Sequence, residues 1–312
     1  MGKLPPAVFL LLGLLISFWV SSEGKKSFKL WGTRLLQASI VLLGVKVPFL
    51  SLLQAGASSL TLTSASLLVT AVFGVLLWWI LGVAPGQAKL MTVGTGICGG
   101  SAIAAAAPAI RASPVDIAVS LSVVFILNAL ALLVFPVLGA LLKLSPEEYG
   151  WWCALAIHDT SSVVGAASAF GERALQVATT AKLTRTLWIF PITLGLSFWS
   201  QRQSAEAGRS SLAKPPFPKF ILGFLLASAL MSLLPGEVSN SATVLVARNF
   251  IVQLSVLGFS LSLFGIGASV QLKELKKSGL RPVIFGVLLW GLTILSSYWL
   301  IVKLGKPLLL GA

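Results

Sequence analysis

Ten stretches of the chain are apolar and are separated by short polar, glycine or proline breaks: Pro5 to Val20, Leu30 to Val47, Ser64 to Leu81, Leu90 to Ala109, Val115 to Leu142, Tyr149 to Phe170, Ala174 to Trp199, Phe220 to Leu234, Ala242 to Ser269 and Pro282 to Leu304. A helix needs roughly 20 apolar residues to cross about 30 Å of hydrocarbon, so this pattern predicts an all-α polytopic membrane protein with about ten transmembrane helices. The only sizeable polar connection is Ser200 to Pro218, which reads QRQSAEAGRSS and then KPPFPK. It buries too little apolar surface to fold alone and is expected to be a linker rather than a domain.

Composition supports this reading. Of 312 residues, 56% are hydrophobic and 10% charged, with a mean hydropathy of +0.95, which excludes a water-soluble globular domain. The 23 Lys and Arg against 9 Asp and Glu form no basic stripe interleaved with aromatics, so nucleic acid is not an expected partner. Sorted by side of the ten spans, fourteen basic residues fall on one set of connections: Lys25, Lys26, Lys29, Arg34, Lys89, Lys143, Arg202, Arg209, Lys214, Lys219, Lys273, Lys276, Lys277 and Arg281. Seven fall opposite: Lys3, Lys46, Arg111, Arg173, Arg248, Lys303 and Lys306. The positive-inside bias then places the first set, with the 200–218 linker, in the cytoplasm and both termini outside. The apolar start after Lys3 has the length of a signal peptide, but cleavage near Val20 would export Lys25, Lys26 and Lys29, so it is taken as the first span.

Candidate chemistry sits in three spans. The fourth reads MTVGTGICGGSAIAAAAPAI, with Gly94, Gly96, Gly99 and Gly100 inside seven residues. Each glycine in a helix interior costs about 1 kcal/mol relative to alanine, which predicts a break. Ser101 would cap a second half-helix, Ala102 to Ala109, whose free amides and positive dipole end would receive an anion in the membrane. Close helix packing is the plainer use of such glycines. The sixth span, GWWCALAIHDTSSVVGAASAF, holds the sole histidine, His158, beside Asp159, Thr160, Ser161 and Ser162. Ionisable groups inside a membrane mark a pathway or site by default. Here Asp159 reads as a charge partner and His158 as the titrating group, with a purely structural histidine as the alternative. The seventh span places Lys182 and Arg185 three apart on one helix face, near the membrane interior unless they snorkel outward. With Asp159 they leave a net charge of +1, suited to a small oxyanion. Cys98 and Cys153 offer no metal or disulfide spacing, so no metal and no cofactor are expected.

GTGICGGSAIAAAAPAI, AIHDTSSVVGAA and KLTR before WIFP, with RLLQASIVLLGVKV near the start and GIGASVQLKELKKSG near the end, resemble the YeiH family of bacterial membrane proteins, whose assigned activity is sulfate export. The resemblance implies an inner-membrane transporter related to the bile acid sodium symporter-like superfamily. Its fold would comprise two inverted five-helix repeats, here residues 1–142 and 149–312 of a single transporter domain, with a broken helix in each. Carried over, the breaks fall at Gly94 to Ser101 and around Gly258 to Gly267. The sequence departs from that family in starting one hydrophobic helix later and in having Asp159 where many relatives have Glu.

The function expected from the sequence is a secondary transporter of a small anion, such as sulfate, sulfite or a sulfonate, working by alternating access. Its binding residues would be Thr95, Gly96, Cys98, Gly99, Gly100, Ser101, His158, Asp159, Thr160, Ser161, Lys182 and Arg185. A proton through His158, or sodium through carbonyls and groups such as Thr95, Asn128 and Asn249, would be the coupling ion. Partners are the anion and the bilayer, with a homodimer left open. Alternatives are a sodium-coupled organic anion symporter, an anion channel, or an intramembrane enzyme using His158 and Asp159 with Ser161, Ser162 or Cys98 as nucleophile. No GxxxxGK[ST] signature is present, which speaks against ATP-driven transport, and no enzyme constellation is recognisable.

Overall fold

The computed structural model describes residues 6–46, 49–186, 188–204, 219–235, 241–269 and 279–305. Among them there are helices and turns and no strand. The helices are α1 (Pro6–Ile16), α2 (Ser22–Leu43), α3 (Phe49–Leu81), α4 (Pro85–Gly96), α5 (Gly100–Ala109), α6 (Pro114–Leu141) and α7 (Pro146–Ala156). They continue with α8 (Thr160–Phe170), α9 (Glu172–Thr186), α10 (Ile189–Ser204), α11 (Lys219–Ser232), α12 (Ala242–Ala268) and α13 (Arg281–Leu300). Among the described residues, four segments are long and apolar enough to cross a membrane: Leu60–Leu81, Pro114–Leu141, Ala242–Ala268 and Arg281–Lys303. Leu68 and Trp79 on α3, Val137 on α6 and Leu295 on α13 are exposed, as lipid-facing side chains would be. Most of the linker expected at 200–218 lies outside the described residues, and α10 runs to Ser204 before it.

The chain divides into two compact units, Met1–Ser58 with Pro218–Val270 and Ser59–Phe217 with Gln271–Ala312, so each draws on both halves of the sequence. In the first unit α12 packs against α2 through small residues. A methyl on Gly258 would lie 2.1 Å from Ser39 Oγ, and one on Gly265 3.0 Å from the Phe28 carbonyl. The Ser255 hydroxyl donates to the Ser39 carbonyl at 2.8 Å. These glycines therefore serve close approach. The break expected around Gly258 to Gly267 is not there, because α12 runs unbroken from Ala242 to Ala268.

The second unit holds two helices that do break, and both fold back instead of crossing. On a straight helix Gly94 and Ile103 would be roughly 13.5 Å apart, yet a methyl on Gly94 would lie 2.9 Å from Ile103 Cγ1. A methyl on Gly86, at the start of α4, would lie 2.5 Å from Asp116 Oδ2 at the start of α6. The pair α4–α5 is thus a re-entrant hairpin that returns to the end it came from. The pair α7–α8 is a second. Tyr149 and Phe170 stack with ring centroids 3.9 Å apart, where a continuous helix would separate them by roughly 31 Å. The Tyr149 hydroxyl donates to the Ala166 carbonyl at 3.3 Å. Between the hairpins runs α6, with Asp116 at the mouth of the first and Gly139 packed on Tyr149 and Phe170 at the mouth of the second. The hairpins therefore enter the unit from opposite ends. This corrects the expectation for Leu90 to Ala109 and Tyr149 to Phe170, which are re-entrant segments and not spans.

Candidate functional site

Each hairpin turns where the sequence makes a helix expensive. The first turns at Ile97, Cys98 and Gly99, where Gly99 takes φ 64° and ψ −123°. That conformation is open to glycine and strained for any residue with a Cβ. The second turns at Ile157, His158 and Asp159, and Asp159 at φ −96° and ψ 145° is the N-cap of α8. The two tips touch. A methyl on Gly99 would lie 3.3 Å from His158 Cβ, and His158 Nε2 is 3.0 Å from Thr95 Oγ1. From α6, Val124 and Phe125 pack on Gly99 and Gly100, while Asn128 Oδ1 accepts the Asp159 amide at 3.1 Å.

Both hairpins end their first arm in mid-unit, where the last carbonyls of a helix lack intrahelical partners and carry the negative end of its dipole. Every one of these carbonyls has a donor. In α4 the Val93 carbonyl accepts from the Ile97 amide at 3.0 Å and Gly94 from the Gly99 amide at 2.8 Å. Thr95 accepts from Arg185 Nη2 at 3.2 Å, and Gly96 accepts from Arg185 Nε. In α7 Cys153 accepts from the Ile157 amide at 3.0 Å. Ala154 accepts from Arg185 Nη1 at 3.1 Å and Lys182 Nζ at 3.3 Å. Leu155 accepts from Arg185 Nη1, and Ala156 from Trp290 Nε1 at 3.0 Å. The carbonyl of Ile157 itself takes Lys182 Nζ at 2.7 Å. Lys182 and Arg185, both 0% exposed, are therefore the shared plug at the inner ends of two helix dipoles.

The positive ends are treated differently. At α8 the Asp159 carboxylate accepts from the Ser161 amide at 3.1 Å and from the Ser161 hydroxyl, so that terminus carries its own counter-charge. At α5 the cap is Gly99, with no side-chain cap bond, and Ser101 in the first turn is exposed. Beside the tips, His158 Nδ1 and Asn128 Nδ2 are buried with no hydrogen-bond partner, an arrangement that costs about 1–3 kcal/mol per group unless something fills it. A cavity of about 520 Å³ lies on the far side of hairpin 1 against Leu67, Trp78, Val93 and Ile192. Its lining is mostly apolar, with Lys89, Ser64 and Thr92 as its polar side chains.

Comparison with known proteins fixes the lineage. A family model described as "Conserved hypothetical protein 698" matches residues 3–286. The chain belongs to that family. A UPF0324 membrane protein of Vibrio parahaemolyticus is 40% identical over 306 residues, covering 96% of this chain and 95% of the relative. One from Porphyromonas gingivalis is 40% identical over 300 residues, covering 94% and 86%. Another, from Bdellovibrio bacteriovorus, is 38% identical over 288 residues, covering 91% and 85%. No solved structure matches. These relatives are bacterial membrane proteins, in keeping with the apolar helices.

Within this conserved hypothetical protein 698 member, Thr95, Gly96, Cys98, Gly99, Gly100, Ser101, His158, Asp159, Thr160, Ser161, Lys182 and Arg185 all lie in the second unit, at the tips or on α9. Asn249 does not join them, since it is on α12 of the first unit. Three roles differ from expectation. Ser101 caps nothing, because α5 begins one residue earlier at Gly100. Asp159 caps α8, and among the described residues makes no ion pair with Lys182 or Arg185. Arg185 places its fork on backbone carbonyls, the natural acceptors where dipoles end. Asn128 was expected only as a sodium ligand. In the structure its Oδ1 is the polar link between α6 and the second tip. A lone amide in an apolar 28-residue helix was the available signal.

Proposed function

We propose that the chain is a secondary transporter that carries a small oxyanion, such as sulfate, sulfite or a sulfonate, across the bacterial inner membrane by alternating access. The observation that carries this reading is the uncapped N-terminus of α5 at the meeting point of two opposed hairpins. Its amides and dipole attract negative charge, and the buried Nδ2 of Asn128 and Nδ1 of His158 have bonds to give or accept nearby. Supporting it, Lys182, Arg185 and Asp159 leave the centre at +1 before an anion enters, and an anion lowers the cost of holding two cations in a dry interior. A half-helix N-terminus aimed at an anionic group is the recurring device of secondary transporters, and opposed hairpins offer one gate to each side. The division into two compact units supplies the two bodies that alternating access requires. His158, with one ring nitrogen free, is the candidate proton carrier. The mouth of hairpin 1, with Lys89 and Arg111, is assigned to the cytoplasm and the mouth of hairpin 2 to the opposite side. This assignment leaves both termini outside.

The test is thermal stabilisation of the purified protein by sulfate, sulfite, thiosulfate, taurine, short carboxylates and phosphate, followed by flux of any hit in proteoliposomes. A binder at 100 times its Kd stabilises by about 2.7 kcal/mol, a shift of a few degrees. A saturable shift with saturable flux supports a transporter; non-saturating flux means a channel. No shift with any anion overturns the reading.

A further inference from the structure

The side chains of α9 fill the place where a transporter of this kind would bind a metal cation. Discontinuous helices bind coupling cations through the carbonyls at their inner C-terminal ends. Here those ends belong to α4 and α7, and four of their carbonyls, Thr95, Gly96, Ala154 and Leu155, converge on the single guanidinium of Arg185. Lys182 completes the set at Ala154 and Ile157. Neither cation reaches a carboxylate among the described residues, and both are fully buried. A hard cation needs several oxygen ligands, and none of the last four carbonyls of either arm is left without a donor.

We propose that Arg185, with Lys182, is a built-in substitute for a coupling cation: the protein binds and needs no sodium ion, and removing the guanidinium opens a site that sodium can fill. The inference rests on the transporter reading only for the word coupling, since occupancy of the carbonyl cluster is a property of the folded chain. One cation tethered to α9 holds both hairpin tips together throughout. Substrate affinity would then be independent of the sodium gradient. It would also leave a proton as the coupling ion, if one is used.

The experiment measures melting temperature in detergent for the wild type, Arg185→Gln and Arg185→Ala in sodium, potassium and choline chloride at matched ionic strength, and in choline with millimolar guanidinium added. The wild type is expected to melt at one temperature in all of them. The variants are expected to melt lower in choline and to recover by a few degrees, saturably, with sodium or guanidinium. A saturable sodium-specific rise in the wild type overturns the proposal. So do variants that fold but respond to no cation. If the variants survive extraction only in sodium or guanidinium, that recovery supports the proposal, and loss in every salt overturns it. None of these readouts requires transport. A failed anion panel with intact cation results removes the transporter reading alone, whereas wild-type anion flux that demands sodium removes this inference alone.

Discussion

Hairpins 1 and 2 are built to one plan, and of the three tip positions at which they differ the helix cap, Gly99 against Asp159, sets the charge. Aligned at an offset of sixty residues, Ile97, Cys98, Gly99, Gly100 and Ser101 stand where Ile157, His158, Asp159, Thr160 and Ser161 stand in the second, and Ala106 and Ala107 match Ala166 and Ala167. Both first arms end on carbonyls held by α9. The second arms begin on Gly99 in one case and Asp159 in the other. A carboxylate at the N-cap satisfies the first amides and offsets the dipole, so hairpin 2 has no charge to offer a ligand. Glycine at the cap supplies neither a side-chain acceptor nor a counter-charge. The contrast teaches that two breaks of one plan can differ in charge: the second cap carries its own acid and the first does not.

The comparison is broken most completely if either hairpin is a span, because the outcome is all or none. Cysteines placed at Ala84, Arg111, Lys143 and Gly171 sort the alternatives with an impermeant thiol reagent. A re-entrant hairpin 1 puts 84 and 111 on one side and 143 on the other, whereas a crossing helix there puts 84 and 143 together; a re-entrant hairpin 2 keeps 143 and 171 on one side, and a crossing helix separates them. Labelling of 84 and 143 from the same side would sink the hairpin description.

Next in size is the asymmetry of the tips. A Cβ on Gly100 would already lie 3.0 Å from Phe125 Cε1, so Gly100→Leu should remove anion binding, a loss of 100-fold or more at about 1.4 kcal/mol per tenfold. The matching Thr160→Val in hairpin 2 should change affinity by less than about threefold. Asp159→Asn sharpens the same point. Asparagine caps as well as aspartate, so the helix should keep its stability while the site gains a unit of positive charge. Anion affinity, read by calorimetry, should rise several-fold. A fall would mean that Asp159 holds more than α8.

The smallest effect lies at the mouth of hairpin 2. Glu147 accepts from Arg173 Nε at 2.8 Å, and this bond holds its carboxyl below the usual carboxylate value. A lowered folded pKa stabilises above the ordinary carboxylate range and is lost as pH falls through the lowered value. Both side chains are well exposed, so the contribution should stay under about 1 kcal/mol. Glu147→Gln should melt slightly below wild type at neutral pH and coincide with it in acid. A difference that persists in acid would assign the effect to packing.

Several features of the site can be read directly from residues. The glycine density from Gly94 to Gly100 foretells a break, and the chain turns inside it at Ile97 to Gly99, where Gly99 takes a positive φ that favours glycine. The second break lies at Ile157 to Asp159 and not around Gly258 to Gly267, where the family resemblance puts it; the glycines of α12 face α2 at close range. The better signal was Ser145, Pro146 and Glu148 as a capping box that starts α7, with Asp159 before a second helical run. Those residues mark two short helices in what hydropathy counts as one span.

The sequence by itself determined that the chain lives in a membrane and that its backbone is helical, and it marked a histidine, a carboxylate and two cations inside apolar runs, because apolar length and the cost of buried charge are properties of composition and spacing; that Lys182 and Arg185 turn inward instead of snorkelling is seen only in the structure. Tertiary structure alone decided which apolar runs cross and which return. A hairpin of two half-helices has the same apolar length as a span. The basic-residue tally cannot distinguish them either, since folding both back merely exchanges Arg111 for Lys143 between the two sides. It also decided what Arg185 does. A guanidinium presents the same fork to an oxyanion as to carbonyls, and only the packing of α4 and α7 against α9 brings the carbonyls there first.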